Sequence, residues 1–407
     1  MQKKKLRAFA HLIAKKGVNI KKGQPVVISA ELDQPEFIEM LVDECYKCGA
    51  GNVEVMWTHQ PLTKLGVRHR TVKSLTTIED WEIERMKHRE KTLPAMIYIL
   101  SDDPDGLRGI NQEKYARAVQ ARSKAMKPYR DRMDNKYQWC IAAVPGVKWA
   151  KKLFPELSKK QAVEKLWEAI LVASRADIDP IAQWEAHNKD IHARCKYLNS
   201  LGLVSLHYTS ANGTDFTVGL IEGTKFLGGA GDTIDGTTYN ANIPSEEVFI
   251  SPMKGKAEGV VYSTKPLSYQ AELIVNFNIR FENGKAVEWH AEKNEELLTK
   301  LINMDENAGY LGECALVPYD SPINLSGILF YNTLFDENAA CHLALGAGFN
   351  DCLDGFENMT FEECIAKGIN DSIVHEDFMI GSEDLSIVGT DKNGNEIQIF
   401  KDGTWVF

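Results

Sequence analysis

Residues 24–57, QPVVISAELDQPEFIEMLVDECYKCGAGNVEVMW, decide how the first half of the chain is read. QPVVISA (24–30) is a short apolar run rich in β-branched residues, the pattern of a strand covered on both faces. PEFIEMLVDECYKC (35–48) then carries apolar residues at helical spacing. It has Pro35 at its start, where a helix tolerates proline, and Gly49 and Gly51 to close it. NVEVMW (52–57) is a second strand. Strand, helix, strand is the unit that builds a parallel sheet. Further out, the N-terminal residues 2–16 read as an amphipathic helix, and PAMIYIL (94–100) and YQWCIAAVP (137–145) continue the strands. The expected architecture is a doubly wound α/β domain. No glycine-rich phosphate fingerprint follows the first strand, so no nucleotide site is indicated.

The character changes after a helical stretch from Ser158 to Leu201. LVSLHYTSANGTDFTVGLIEG, GVVYSTKPLSYQAELIVNFNIRFENGKAVEWHA and SIVGTDKNGNEIQIFKDGTWVF alternate apolar and polar residues. Asn-Gly at 212–213, 283–284 and 393–394 and Asp-Gly at 402–403 mark hairpin turns between them. The fold class is therefore α/β: an N-terminal doubly wound domain over 1–187 and a mixed α+β C-terminal domain over 188–407.

The chain has 407 residues, a length that suits two domains. A net charge of −10, with no long basic block against it, argues against a nucleic-acid partner. The opening MQKKKLRAFAHLIAKKG is basic and then apolar, but the apolar run Ala8–Ala14 contains His11 and leads into Lys15 and Lys16 rather than a cleavage site. No stretch reaches the roughly 18 apolar residues of a membrane span. The eight cysteines are scattered, which suits buried thiols in a reducing cytoplasm. Cys45 and Cys48 have the spacing of a redox pair, yet they fall late in a helix, whereas an activated thiol sits at a helix start.

The chemistry concentrates in four stretches of the second half: NIPSEEVFISP (242–252), GYLGECALVPYDSPI (309–323), FYNTLFDENAACHLALGAGF (330–349) and IVHEDFMIGSEDLSI (373–387). In a strand, residues i and i+2 share a face, so His375 and Asp377 project side by side. Glu313 lies among apolar neighbours, where a lone carboxylate would be costly to bury without a cation. Histidine and carboxylate together suit zinc, manganese or cobalt. They equally suit ordinary buried ion pairs, and residues 130 positions apart need not be near each other.

These motifs closely resemble the metalloaminopeptidase family of aminopeptidase T, AmpS and PepS. The family's NIPSGEVF appears as NIPSEEVF, GEVALVPxxSPI as GECALVPYDSPI and HVDFMIGS as HEDFMIGS. FYNTLFDENAAxHLALG is present nearly letter for letter. KKGVNIKKGQPVVI, AAVPGVKWAKKLFPE and NGTDFTVGL extend the likeness over nearly the whole chain. The resemblance implies a metal-dependent aminopeptidase that removes the N-terminal residue of short peptides, using water activated by two divalent ions (zinc, cobalt or manganese). It implies a homodimer, and metal ligands at Glu247, Glu313, His342, His375 and Asp377, with Glu313 as ligand, general base or both. Two positions depart from the pattern. Glu246 replaces a glycine and adds a charge beside the site, one that need only face solvent. Phe349 stands seven residues after His342, where the family has a tyrosine whose hydroxyl would serve as ligand or oxyanion donor; Tyr310, Tyr319 and Tyr331 are candidate substitutes. Three rivals remain: a mononuclear iron ring-cleaving dioxygenase built on His342, His375 and Asp377, a non-catalytic peptide-binding relative, and a protein without metal whose acidic and His residues are structural ion pairs.

Overall fold

The computed structural model describes residues 2–407. The chain divides into two compact units. One runs to Trp184 and takes in Ala230–Pro244, and the other holds Glu185–Gly229 and Ser245–Phe407.

The first unit is built on a five-stranded parallel sheet. Strand Pro25–Glu31 lies at its interior, in register with Asn52–Thr58 on one side and Ala95–Leu100 on the other. Trp139–Ala143 follows Ala95–Leu100. This central position explains the apolar run: Val26 and Ile28 are fully buried on one face and Val27 is buried on the other, and each contributes about 1.5–3 kcal/mol by leaving water. Helix Pro35–Lys47 turns Phe37, Ile38, Leu41 and Cys45 inward. Phe37 packs between Phe9 of the N-terminal helix and Trp167 of helix Lys159–Ala173, at ring separations of 5.7 and 5.4 Å. Burial pushes the Cys45 thiol up to about 12, so it is a core residue rather than a redox centre. All eight cysteines are free.

The fifth strand comes from the segment 230–244 that the first unit takes in. Within it Asn242–Ile243 pairs in parallel with Trp139–Ala143. Two paired residues leave no periodicity to read.

The second unit holds a nine-stranded sheet and a four-stranded antiparallel sheet. Phe216, Phe277, Phe281, Phe378 and Phe400 are among its fully buried side chains. The turn dipeptides fall where expected. Asn283 and Gly284 join strands Glu272–Glu282 and Lys285–Lys293, and Asp402 and Gly403 join Glu396–Lys401 to Thr404–Trp405. In both pairs each residue has positive φ, as a two-residue hairpin loop of type I′ requires.

Candidate metal centre

The four-stranded sheet runs Val248–Ile250, Leu311–Leu316, His342–Gly346, His375–Met379. Its two central strands are buried along their whole length. The register sets the site. Glu313 pairs across with Ala344, and Ala344 pairs with Asp377. The three therefore form one row on one face, with two carboxylates flanking a methyl group. His342 and His375 lie two residues from Ala344 and Asp377 along their strands, so they share that face. Glu247 enters from the residue before Val248, which pairs with Leu316.

The ladder is irregular at Gly312, between the Leu311 and Glu313 pairings. A Cβ at this position would lie 2.0 Å from the Ala347 carbonyl oxygen and 2.6 Å from that of Gly346. Glycine lets the two strands approach and sets how Glu313 is presented, as bulges next to active sites often do. Gly312→Ala is expected to cost about 3 kcal/mol through overpacking against backbone that cannot yield. A thermal midpoint within about 2 °C of wild type would contradict this account.

All five residues expected at the site are brought together. Glu247, Glu313 and His342 offer ligand atoms within 4.8 Å of one another, and so do Glu313, His375 and Asp377. His342 Nε2 lies 3.4 Å from Glu247 and 3.9 Å from Asp377. His375 Nε2 lies 3.1 Å from Glu313 and 3.5 Å from Asp377. Each imidazole bonds to the backbone through its other nitrogen: His342 Nδ1 to the Ala340 carbonyl at 3.2 Å, His375 Nδ1 to the Ala347 carbonyl at 2.7 Å. A carbonyl can only accept, so Nδ1 carries the proton and Nε2 is directed into the cluster.

The electrostatics call for cations. Burial, with Asp377 and Glu247 nearby, raises the Glu313 carboxyl above its ordinary range although His375 opposes the shift. Burial would lower His342, yet Glu247 and the other carboxylates hold it up at about 9. Asp377 is kept low against burial by His375 and His342. Its Oδ1 is buried and has no hydrogen-bond partner among the described residues, a cost of roughly 1–3 kcal/mol or more for a charged group. A carboxylate oxygen without a hydrogen-bond partner beside two imidazole nitrogens directed into the cluster is a site whose donors fit a divalent ion.

Glu337 belongs to this cluster and was not singled out from the sequence. It opens the short 3₁₀ turn Glu337–Ala339, and its carboxyl lies beside Asp377. Desolvation and the surrounding Asp377, Glu247 and Glu313 raise it well above the ordinary range. Its place in FDENAACH, five residues before His342, was the available signal. Its neighbour Asp336 accepts from the Phe330 and Asn332 amides at 2.7 and 2.9 Å and is a loop clamp.

Both departures from the family pattern are resolved in position. Glu246 does not face solvent: it is buried, with its carboxylate 3.9 Å from His187 Nε2 and its amide donating to Asn338 at 2.7 Å. Phe349 lies against the centre, its ring 4.8 Å from that of His375 and 5.4 Å from that of Phe249. Tyr310 is engaged elsewhere, beneath the Lys254 and Lys285 ammonium groups.

The family model for thermophilic metalloproteases (M29) matches residues 2–405. The chain belongs to the M29 family. It is 40% identical over 405 residues to aminopeptidase AmpS of Bacillus subtilis, covering 99% of this chain and 98% of the relative. It is 38% identical over 406 residues to aminopeptidase T of Thermus thermophilus, covering 99% of each. Wild-type AmpT from Thermus thermophilus superposes with a TM-score of 0.91 over the whole of both chains at 38% identity. The 2,5-dihydroxypyridine dioxygenase of Pseudomonas putida KT2440 matches with a TM-score of 0.54 at 12% identity over 99% of this chain and 96% of its own, and shares the fold alone. This M29 chain is a metal-dependent aminopeptidase, a hydrolase acting on peptides. Its family uses divalent metal. No helix of the M29 chain is long and apolar enough to cross a membrane, among the described residues.

Proposed function

We propose that this aminopeptidase removes the N-terminal residue of short peptides with two divalent ions, one held by Glu247, Glu313 and His342 and the other by Glu313, His375 and Asp377. The observation that carries this reading is that Glu313 belongs to both groups of converging ligands. Nitrogen and carboxylate donors suit zinc, cobalt or manganese. When bound, such ions supply a nucleophilic water at neutral pH and polarise the scissile carbonyl. The protein's own residues do the rest. The sheet holds the carboxylates in one row, and the backbone carbonyls of Ala340 and Ala347 orient the two imidazoles. Glu313 is committed to both groups, which leaves Glu337 as the carboxyl free to exchange a proton with water or with the departing amine. The free α-amine of a peptide N-terminus would bind one of the ions or an acidic group at the cluster, a contact that an internal amide does not offer. An iron triad of His342, His375 and Asp377 would leave Glu247 and Glu313 without a role, and both lie within the cluster.

The test is metal content. Purified protein is expected to carry two metal ions per chain and to lose activity on chelation. Zinc, cobalt or manganese should restore it. Asp377→Ala should retain about one ion, because only one group loses a ligand. Full turnover after complete metal removal, or two ions retained in Asp377→Ala, would overturn the assignment.

Phe349→Tyr adds one hydroxyl at the edge of the His375 ring. If the position lacks only a donor for the developing oxyanion, kcat should rise tenfold or more, since one such donor is worth about 100–1000-fold. We expect less than a threefold change, because the bound ions take up that charge; a tenfold rise in kcat on aminoacyl chromogenic substrates would contradict this.

A further inference from the structure

A second pocket lies wholly within the first unit, far along the chain from the metal ligands. Its volume is about 360 Å³, within the range of small-molecule sites. Strand Ala95–Leu100 turns Ala95, Ile97 and Ile99 to one face, and Met96 and Tyr98 to the other. Helix Asp80–Thr92 adds Met86 and Arg89, three residues apart and so on one face. Helix Gln112–Met133 adds a continuous stripe: Val119, Arg122, Ser123, Met126, Arg130 and Met133. Tyr137 closes the lining. Four methionines give an adaptable apolar wall.

The charge in this wall is one-sided. Three arginines line the pocket and no acidic residue does. Arg122 is paired with Glu82. Arg89 instead rests its Nη2 on the Met56 sulfur at 2.9 Å, and Arg130 reaches only the Ser123 hydroxyl at 3.1 Å and its carbonyl. Neither has a carboxylate within ion-pair distance among the described residues. The Tyr98 and Tyr137 hydroxyls have no hydrogen-bond partner among the described residues either. Both phenols feel the same two guanidiniums, which act to lower their pKa against the larger effect of burial. Two guanidiniums without a carboxylate partner and two phenols thus line the same methionine-walled pocket, in a chain whose net charge is −10. A guanidinium matches a carboxylate in geometry and charge.

We propose that this pocket binds a small amphipathic carboxylate, with the anionic head between Arg89 and Arg130 and the apolar body along Met86, Met96, Met126 and Met133. Charge alone does not fill it, because the wall is apolar. An apolar chain alone leaves the arginines unpaired. The full-length metal-loaded protein should be titrated by calorimetry with decanoate, decanol and acetate. Decanoate is expected to bind saturably at one site per chain, at least about tenfold tighter than decanol or acetate. Arg89→Met with Arg130→Met should weaken decanoate at least about tenfold while leaving peptide hydrolysis unchanged. Equal affinity for decanoate and decanol, equal affinity for decanoate and acetate, no saturable decanoate binding, or undiminished binding in the double variant would each overturn the proposal. The comparison of the three probes on the natural sequence stands whether or not the double variant folds.

Discussion

Glu313→Gln is expected to lose both metal ions and at least about 100-fold in kcat. The amide keeps the volume and the strand position of the carboxylate, so the sheet should remain intact. What it removes is the negative charge and the second oxygen lone-pair set that two cations would share. Glu313 ligand atoms lie within 4.8 Å of those of both Glu247–His342 and His375–Asp377. Loss at either neighbour should empty one position, whereas loss at Glu313 should empty both. The distinction is read by metal analysis of Glu313→Gln beside Asp377→Ala. Wild-type turnover with two ions retained in Glu313→Gln would remove this residue from the centre of the mechanism.

Glu337→Gln should behave differently. Its carboxyl lies beside Asp377, and a glutamine amide can donate to that carboxylate, so Asp377 keeps its orientation. Both ions should stay bound and the thermal midpoint should hold. The proton is what glutamine cannot transfer, and kcat should fall about 100-fold or more with little change in KM. A kcat within threefold of wild type would assign proton transfer to another group. Loss of metal would make Glu337 a ligand instead.

The parts of this molecule that were legible from sequence share a cause. QPVVISA reads as an interior strand because its apolar residues are buried on both faces, and Asn283-Gly284 reads as a hairpin because such residues readily take positive φ at two successive positions. Both are local statements. The five residues carried over from the family motifs could be named from sequence, while their convergence is a property of register: Glu313 and Asp377 are 64 positions apart and meet because each pairs with Ala344. Glu337 escaped notice because its turn is brought to Asp377 by packing rather than by pairing. Glu246 was misread for a related reason. Its partner His187 sits on the helix Pro180–Ser200, far enough in sequence that a buried carboxylate looked like a surface one. The excursion of 230–244 into the first unit left two paired residues as its trace, too few for any pattern.

The acceptors that orient His342 and His375 are the main-chain carbonyls of Ala340 and Ala347. In many metalloproteins a carboxylate side chain performs this task, and a single codon change can delete it. A peptide carbonyl is present whatever residue occupies the position. Substitution at Ala340 or Ala347 can shift the acceptor only by moving the strand ends themselves. The tautomer of both imidazoles is thus inherited with the backbone path, and sequences can drift at these two alanines without losing it.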